Sequence, residues 1–137
     1  MSTATNGQSE HATVQLSIPV KADLVVLARL TAATVAGRAG FGVEDIEDLR
    51  LAVEELCLSL VRSDEDGRLH LSFDHADGTI TVNCWFEPRP GWEGSGNGTV
   101  DDLSLRILDA LVDEHGREQR HGQLCAWLRK RRVSSKA

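Results

Sequence analysis

Glu55 and Ser59 are the two residues of this chain whose types and spacing are most suited to chemistry. They stand four residues apart, so in a helix both side chains project from the same face. A carboxylate and a hydroxyl that project together are candidates for catalysis or for ligand binding. The alternative is a solvated helix carboxylate that pairs with Ser59 or with Arg62.

The stretch around this pair has the pattern of an amphipathic helix from about Val43 to Ser63. Acidic residues open it, which suits the positive end of a helix dipole. Its main apolar stripe predicts a buried face made of Ile46, Leu49, Val53, Leu56 and Leu60. The opposite face is half apolar and carries Leu51, Ala52, Glu55, Leu58, Ser59 and Arg62. We therefore expect a neighbouring element to cover that second face partly, or a cleft to run along it.

The other segments read as short amphipathic elements separated by turns. Alternation predicts strands at 13–18, 69–73, 80–86 and 124–128, and helical spacing predicts helices at 21–36 and 100–114. A turn at 74–78 joins the second and third strands, and a glycine-rich loop spans 87–98. We expect a disordered lead-in at 1–12, one domain at 13–131 and a basic tail at 132–137. The order predicts an α+β, two-layer sandwich: a mixed, mostly antiparallel sheet covered on one face by about three helices.

Composition indicates a soluble domain with an acidic body. The 137 residues are 41% hydrophobic and contain no stretch long enough to span a membrane. Three cysteines without metal-type spacing predict buried reduced thiols in a cytoplasmic protein. Up to residue 128 the chain carries 10 basic and 21 acidic side chains, which disfavours a nucleic-acid partner and favours a basic one. We interpret the cluster after Leu128 as a solvated, frayed end rather than a nucleic-acid tail; it comprises Arg129, Lys130, Arg131, Arg132 and Lys136.

The run from Asp48 to Cys57 resembles the anti-sigma factor and serine-protein kinase branch of the GHKL ATPases, the family of histidine-kinase-like ATP-binding domains. Asp48-Leu-Arg-Leu-Ala-Val-Glu-Glu-Leu-Cys is close to that family's Leu-Ala-Val-x-Glu-Ala-x-x-Asn run. Leu105 to Glu114 is similar to the helix that follows the family's ATP lid. Actinobacterial anti-sigma factors look especially close in both places. The resemblance covers nearly all of the chain after Ala12 and implies the GHKL fold.

The resemblance also implies roles for particular residues. Glu55 takes the place of the glutamate in the family's N box, which polarises a water molecule or a serine hydroxyl. Ser59 takes the place of the asparagine that holds Mg²⁺, and a hydroxyl has less reach than an amide oxygen. Glu87 and Gly91 stand where the family has an adenine-reading aspartate and a glycine, while Arg89 replaces another glycine.

The phosphate-binding box departs furthest from the family pattern. Where the family has Gly-x-Gly-Leu at a helix start, this chain has Asp102-Leu-Ser-Leu105, preceded by Asp101. Like charges at ~4 Å repel by about 1–4 kcal/mol even when partly screened, so these carboxylates disfavour a triphosphate. We expect weak or absent binding of Mg·ATP.

Three functions stay open on these grounds. The leading hypothesis, implied by the resemblance, is an anti-sigma factor that sequesters a sigma subunit and is released by an anti-anti-sigma protein of the STAS type. The second is an active serine kinase of that antagonist, with Glu55 as base, Ser59 on Mg²⁺ and Glu87 on adenine. The third is a degenerate GHKL scaffold that dimerises without a sigma partner. Loss of the phosphate-binding glycines makes the kinase the less favoured of the first two.

Overall fold

The computed structural model describes residues 12–61, 66–91 and 102–133 as a helical layer on one face of a single sheet. Its elements in chain order are β1 Ala12–Pro19, α1 Val25–Arg38, α2 Val43–Leu58, β2 Gly67–Ala76, β3 Thr79–Pro88, α3 Asp102–Leu111, β4 Glu114–Arg120 and β5 Gln123–Arg131, with a short 3-10 turn at Ala22–Leu24. This confirms the predicted α+β two-layer architecture. Most of the predicted lead-in, residues 92–98 of the glycine-rich loop and the end of the basic tail lie outside the described residues.

The sheet has the order β1-β2-β3-β5-β4, and every neighbouring pair is antiparallel. The expected parallel component is therefore absent from the described strands. β5 lies inside the sheet between β3 and β4, although it is the last strand in sequence. It therefore pairs with β3 on one side and with β4 on the other.

β4 was not predicted, because its sequence Glu-His-Gly-Arg-Glu-Gln-Arg has no apolar alternation. It is an edge strand, where polar side chains are common and discourage pairing with other chains. The predicted end of the third helix at Glu114 is wrong as well. α3 ends at Leu111, and Glu114 begins the unpredicted strand β4. The backbone N–H of Asp113 already donates to the carbonyl of Arg129 in β5, at 3.0 Å.

α2 also ends earlier than its apolar pattern predicts. The helix stops at Leu58 instead of Ser63, and Ser59 is its C-terminal cap. The N–H of Leu60 donates to the carbonyl of Cys57 at 3.2 Å, which tightens the last turn. Ser59 therefore lies at the end of the helix, where backbone carbonyls lack partners within the helix.

Two tight hairpins fix the register of the sheet. Asp77 and Gly78 join β2 to β3 with φ of 52° and 76°, and His121 and Gly122 join β4 to β5 with φ of 52° and 77°. Positive φ at both central residues is the signature of the two-residue turns that match strand twist. The predicted five-residue turn at 74–78 thus shortens to two residues, and the strands extend to meet it.

The core lies between the sheet and the helices. Small residues on α1 permit close packing against its neighbours, with Ala28, Ala32 and Ala36 fully buried. The predicted stripe of α2 supplies Leu49, Val53, Leu56 and Leu60 to this core, and Ile46 packs at its edge. The strands contribute their alternate side chains, such as Leu71, Phe73, Val82 and Leu128. Within the described residues, no helix combines the length and apolar character needed to cross a bilayer.

The cations at the end of β5 are structural. Lys130 is 8% exposed; its Nζ donates to the carbonyl of Leu111 at 2.8 Å and lies 3.7 Å from Asp45 and 3.9 Å from Asp48. Arg132 donates to the carbonyl of Ala39 at 2.8 Å. The interpretation of this cluster as a solvated, frayed end is therefore wrong for Lys130 and Arg132, which connect β5 to the helices.

Candidate functional site

The Glu55 carboxylate is half-buried on the face of α2 that α3 partly covers. Its Oε2 accepts a hydrogen bond from the hydroxyl of Ser104, in the first turn of α3. Ser104 stands where the family pattern places the second glycine of the phosphate-binding box. Among the described residues, the partner of Glu55 is thus not Ser59 but a side chain that replaces a phosphate-binding glycine. Arg62, the other partner that the non-catalytic interpretation proposed, lies outside the described residues.

Ser59 is bound from two sides. Its hydroxyl donates to the carbonyl of Leu56 at 2.8 Å. The guanidinium of Arg117, in β4, donates to the same hydroxyl oxygen at 3.1 Å and to the Ser59 carbonyl at 3.2 Å. A cation at this position also suits the negative end of the α2 dipole.

In the described part of the chain, Arg117 is the charged side chain that contacts Ser59. Burial lowers the pKa of its guanidinium. An arginine starts so far above neutral pH that it stays protonated in spite of this. The site therefore holds a permanent positive charge supplied by the chain itself.

A cavity of about 240 Å³ lies beside Ser59 and Arg117, between α2, α3, β4 and β5. Its walls are mainly apolar and include Leu56, Leu105, Leu108 and Ala126. His115 closes one side, with its Nε2 2.6 Å from Oδ1 of Asp109. Sites for drug-sized ligands usually measure ~300–1,000 Å³, so this cavity is small for a nucleotide.

Glu87 and Gly91 are not brought to this cavity. Strand alternation turns Phe86 toward the helices and Glu87 toward the uncovered face of the sheet. There Oε1 of Glu87 lies 2.7 Å from Nε2 of His70, which stacks on Trp85 with the ring centres 5.4 Å apart. Gly91, with φ of 87°, lies in the glycine-rich loop and is its last described residue. The structure thus unites Glu55 and Ser59 on one side of the sheet and places Glu87 on the other.

The described donor set does not suit Mg·ATP. The oxygen of Ser59 that would face Mg²⁺ accepts from a guanidinium, and a second cation beside it would be repelled. Glu55 is engaged by Ser104, and the exposed Asp102 places a negative charge at the start of α3. Among the described residues, no group of three or more histidine, cysteine and carboxylate side chains could hold a metal ion.

Sequence reasoning missed Ser104 and Arg117, the two side chains that engage the predicted pair. Ser104 was noted only as a lost glycine, although a serine in a first helical turn can reach a carboxylate on a neighbouring helix. Arg117 lay in a segment without an assigned element. The His121-Gly122 pair before the apolar strand was a usable hairpin signal, and it would have placed Arg117 in a strand.

The prediction of reduced, buried thiols is confirmed: Cys57, Cys84 and Cys125 are free and buried. A hydrogen bond with Cys57, together with burial, raises the pKa of the Cys84 thiol well above its usual value. Burial raises the pKa of Cys125 as well. The thiols of Cys84 and Cys125 are therefore protonated at neutral pH and belong to the packing, not to a nucleophilic site.

Comparison with known proteins places this geometry in a family. A family model described as a histidine kinase-like ATPase domain matches residues 18–130. The chain is 37% identical over 97 residues to the serine-protein kinase RsbW of Listeria monocytogenes, covering 70% of this chain and 57% of that protein. It is 40% identical over 63 residues to RsbW of Halalkalibacterium halodurans, covering 44% and 39% respectively. The chain thus spans 57% of the Listeria protein and 39% of the Halalkalibacterium protein.

A solved structure confirms the fold independently. The RsbU and RsbW domains of a Mycobacterium tuberculosis protein superpose with a TM-score of 0.67 and 16% identity, over 88% of this chain and 32% of that one. At that identity the likeness shows the fold alone. Since the family model spans most of the residues, the chain belongs to the histidine kinase-like ATPase domain family.

Proposed function

We propose that this chain is a cytoplasmic anti-sigma factor that sequesters a sigma subunit, is released by an STAS-type antagonist, and works with weak or no binding of ATP. Its similarity to RsbW proteins supports a role in partner switching. The observation that carries the proposal is the engagement of Glu55 by Ser104 and of Ser59 by Arg117. Glu55 and Ser59, the residues at the N-box positions, thus both form hydrogen bonds with side chains of other elements.

The charge of the helical layer supports a basic partner. The first two turns of α2 carry Glu44, Asp45, Glu47 and Asp48, and the chain as a whole has a net charge of −6. Sigma subunits contact DNA through basic surfaces, so an acidic regulator is electrostatically complementary to them. Exposed leucines on the same layer offer apolar contact area; they are Leu51, Leu58 and Leu103, which are 51%, 47% and 65% exposed.

Binding to purified sigma factors of the same cell tests the proposal directly. We expect native mass spectrometry to detect a complex with at least one sigma factor, without added nucleotide. An STAS protein from the same cell should dissociate that complex. If no sigma factor binds at micromolar protein, with or without Mg·ATP, the proposal fails.

The second candidate is a serine kinase, which is favoured by the retained Glu55 and by the enzyme name of the RsbW relatives. In that case Mg·ATP should bind in calorimetry, and label from the γ-phosphate should reach the STAS protein. Glu55→Gln should then abolish transfer, whereas Glu54→Gln should not, because Glu54 pairs with Arg29 on α1 at 3.2 Å. Binding that is lost in Glu87→Ala would also support a nucleotide site. No heat at millimolar nucleotide would end this candidate.

The third candidate is a scaffold that forms a homodimer. The uncovered face of the sheet carries two half-buried tryptophans, Trp85 and Trp127, and none of the described helices lies over them. Light scattering with Trp85→Ser would reveal a dimer that depends on this face. A dimer without sigma binding would favour the scaffold over the regulator.

A further inference from the structure

The contact between Arg117 and Ser59 spans two elements far apart in sequence. β4 is an edge strand, yet the side chain of Arg117 points from it to the end of α2. One nitrogen, Nη1, serves both the hydroxyl and the carbonyl of Ser59. A positive charge is thus concentrated at the position that the family pattern assigns to a metal ligand.

A helix cap alone accounts for only part of this geometry. Capping requires a donor at the free carbonyls of the last helical turn, and the bond to the Ser59 carbonyl meets that need. The second bond, to the hydroxyl oxygen, is not required for capping. It occupies one of the two lone pairs of the hydroxyl oxygen, whose O–H donates to the carbonyl of Leu56.

We propose that the guanidinium of Arg117 takes the place of a magnesium ion at Ser59, so that the junction of α2, α3 and β4 is complete without metal or nucleotide. Ser104 has the companion role at Glu55, whose carboxylate it binds from α3. This chain therefore differs from a metal-binding N box in the nature of its cation: the guanidinium of Arg117 stands where the family pattern has a metal ion. An exchangeable cation is thereby replaced by a residue of the chain.

Three variants separate charge from packing. Arg117→Lys retains a cation, and Arg117→Met retains the length of the side chain without charge. Arg120→Met is the matched control in the same strand, where an exposed arginine pairs with Glu118. Each variant is compared with the unmodified chain in EDTA, in Mg²⁺ and in Mg·ATP.

Two measurements read out the proposal. The first is the melting temperature, which should be the same in EDTA and in Mg·ATP for the unmodified chain. Arg117→Met should lower it by ~5 °C, and Arg117→Lys and Arg120→Met should lower it less.

The second measurement is paramagnetic broadening of the Ser59 backbone amide by Mn²⁺ in nitrogen-15 NMR spectra. Ser72, on the uncovered face of the sheet, is the reference amide.

We expect Mn²⁺ to leave Ser59 unbroadened in the unmodified chain, in Arg117→Lys and in Arg120→Met, and to broaden it in Arg117→Met. A purely structural arginine would not produce this charge-dependent response. Selective broadening of Ser59 in the unmodified chain would overturn the proposal, even if Arg117→Met failed to fold. Identical behaviour of Arg117→Met and Arg117→Lys would overturn it too. The inference shares the absence of ATP binding with the function proposed above, but since no sigma factor is present, its failure is distinguishable from a failure of sigma binding.

Discussion

Ser104 illustrates how one replaced glycine changes a site. A glycine at this position exposes backbone N–H groups to a phosphate, whereas a serine adds a hydroxyl that reaches the carboxylate of Glu55. The hydroxyl thus binds an anion that belongs to the protein. Ser104 thus removes a backbone contact for a ligand and adds a hydrogen bond between α3 and α2.

The contribution of this bond can be measured with Ser104→Ala. A hydrogen bond to a charged group is worth ~1.5–3 kcal/mol when buried, and this one is only part-buried. Alanine also has the higher helix propensity, by ~0.5 kcal/mol, which offsets part of the loss. We expect a net destabilisation of about 1 kcal/mol in urea unfolding. Ser72→Ala, on the uncovered face, is the control, and an equal loss in both variants would contradict the role of the bond.

Lys130 is the second residue whose role is stability. Its ammonium group satisfies the carbonyl of Leu111 and lies near two carboxylates of α2. Lys130→Met keeps the apolar stem but leaves a buried carbonyl without its donor, so we expect a loss of ~1–3 kcal/mol. The exposed neighbour Arg131→Met should lose much less. Comparison of the two urea midpoints checks this, and equal midpoints would show that the buried cation contributes nothing.

At the scale of the elements, a tryptophan of β5 packs closely against a glycine of β4. A Cβ at Gly116 would lie 2.8 Å from Cζ2 of Trp127, so the ring packs directly on the strand backbone. Gly116→Ala must displace the ring or the strand, and overpacking of this kind costs ~1–3 kcal/mol. We expect lower stability together with a shift in tryptophan emission.

Gly37 in α1 is the matched control for this prediction. A Cβ there would meet no atom within 4 Å, and its backbone is helical. Gly37→Ala should therefore stabilise the fold by ~0.4–1 kcal/mol, because the unfolded chain loses freedom. Loss of stability in both variants would point to a general intolerance of glycine replacement and not to the contact with Trp127.

These elements differ in how far the sequence predicted them. α1, α2, β2, β3 and β5 each bury alternate or helically spaced apolar residues, so their patterns are visible. β4 presents His115, Arg117 and Gln119 on the same side as the buried residues of β5, and none of these is apolar. Hydrophobic patterning cannot find a strand whose inward side chains are polar. For this reason Glu55 and Ser59 were predicted, and the arginine that binds Ser59 was not.

At the scale of the whole molecule, the buried thiols predict how stability depends on pH. The pKa of Cys84 is raised in the folded chain, mainly by its hydrogen bond with Cys57 and by burial. The folded state therefore keeps this thiol protonated at a pH where the unfolded chain releases the proton. Stability is fully present below the ordinary thiol pKa of about 8.5 and falls as the pH rises above it.

Urea unfolding between neutral and alkaline pH checks this dependence. We expect the midpoint of the native chain to fall above about pH 8.5, and the slope to be shallower in Cys84→Ala, whatever its absolute stability. Cys125→Ala is a comparison with another raised thiol pKa. Parallel slopes for all three proteins would mean that other groups determine the alkaline limit.

The position of β5 has a consequence for biosynthesis. A ribosome delivers α1, α2, α3 and strands β1 to β4 before it reaches residues 123–131, which fill the gap between β3 and β4. Lys130 and Arg132, whose side chains donate hydrogen bonds to α3 and to the end of α1, are among the last of these residues to emerge. A nascent chain therefore exposes an open sheet edge and an incomplete core until residue 132 has left the exit tunnel. We therefore expect copies that terminate before residue 123 to be substrates for chaperones and proteases.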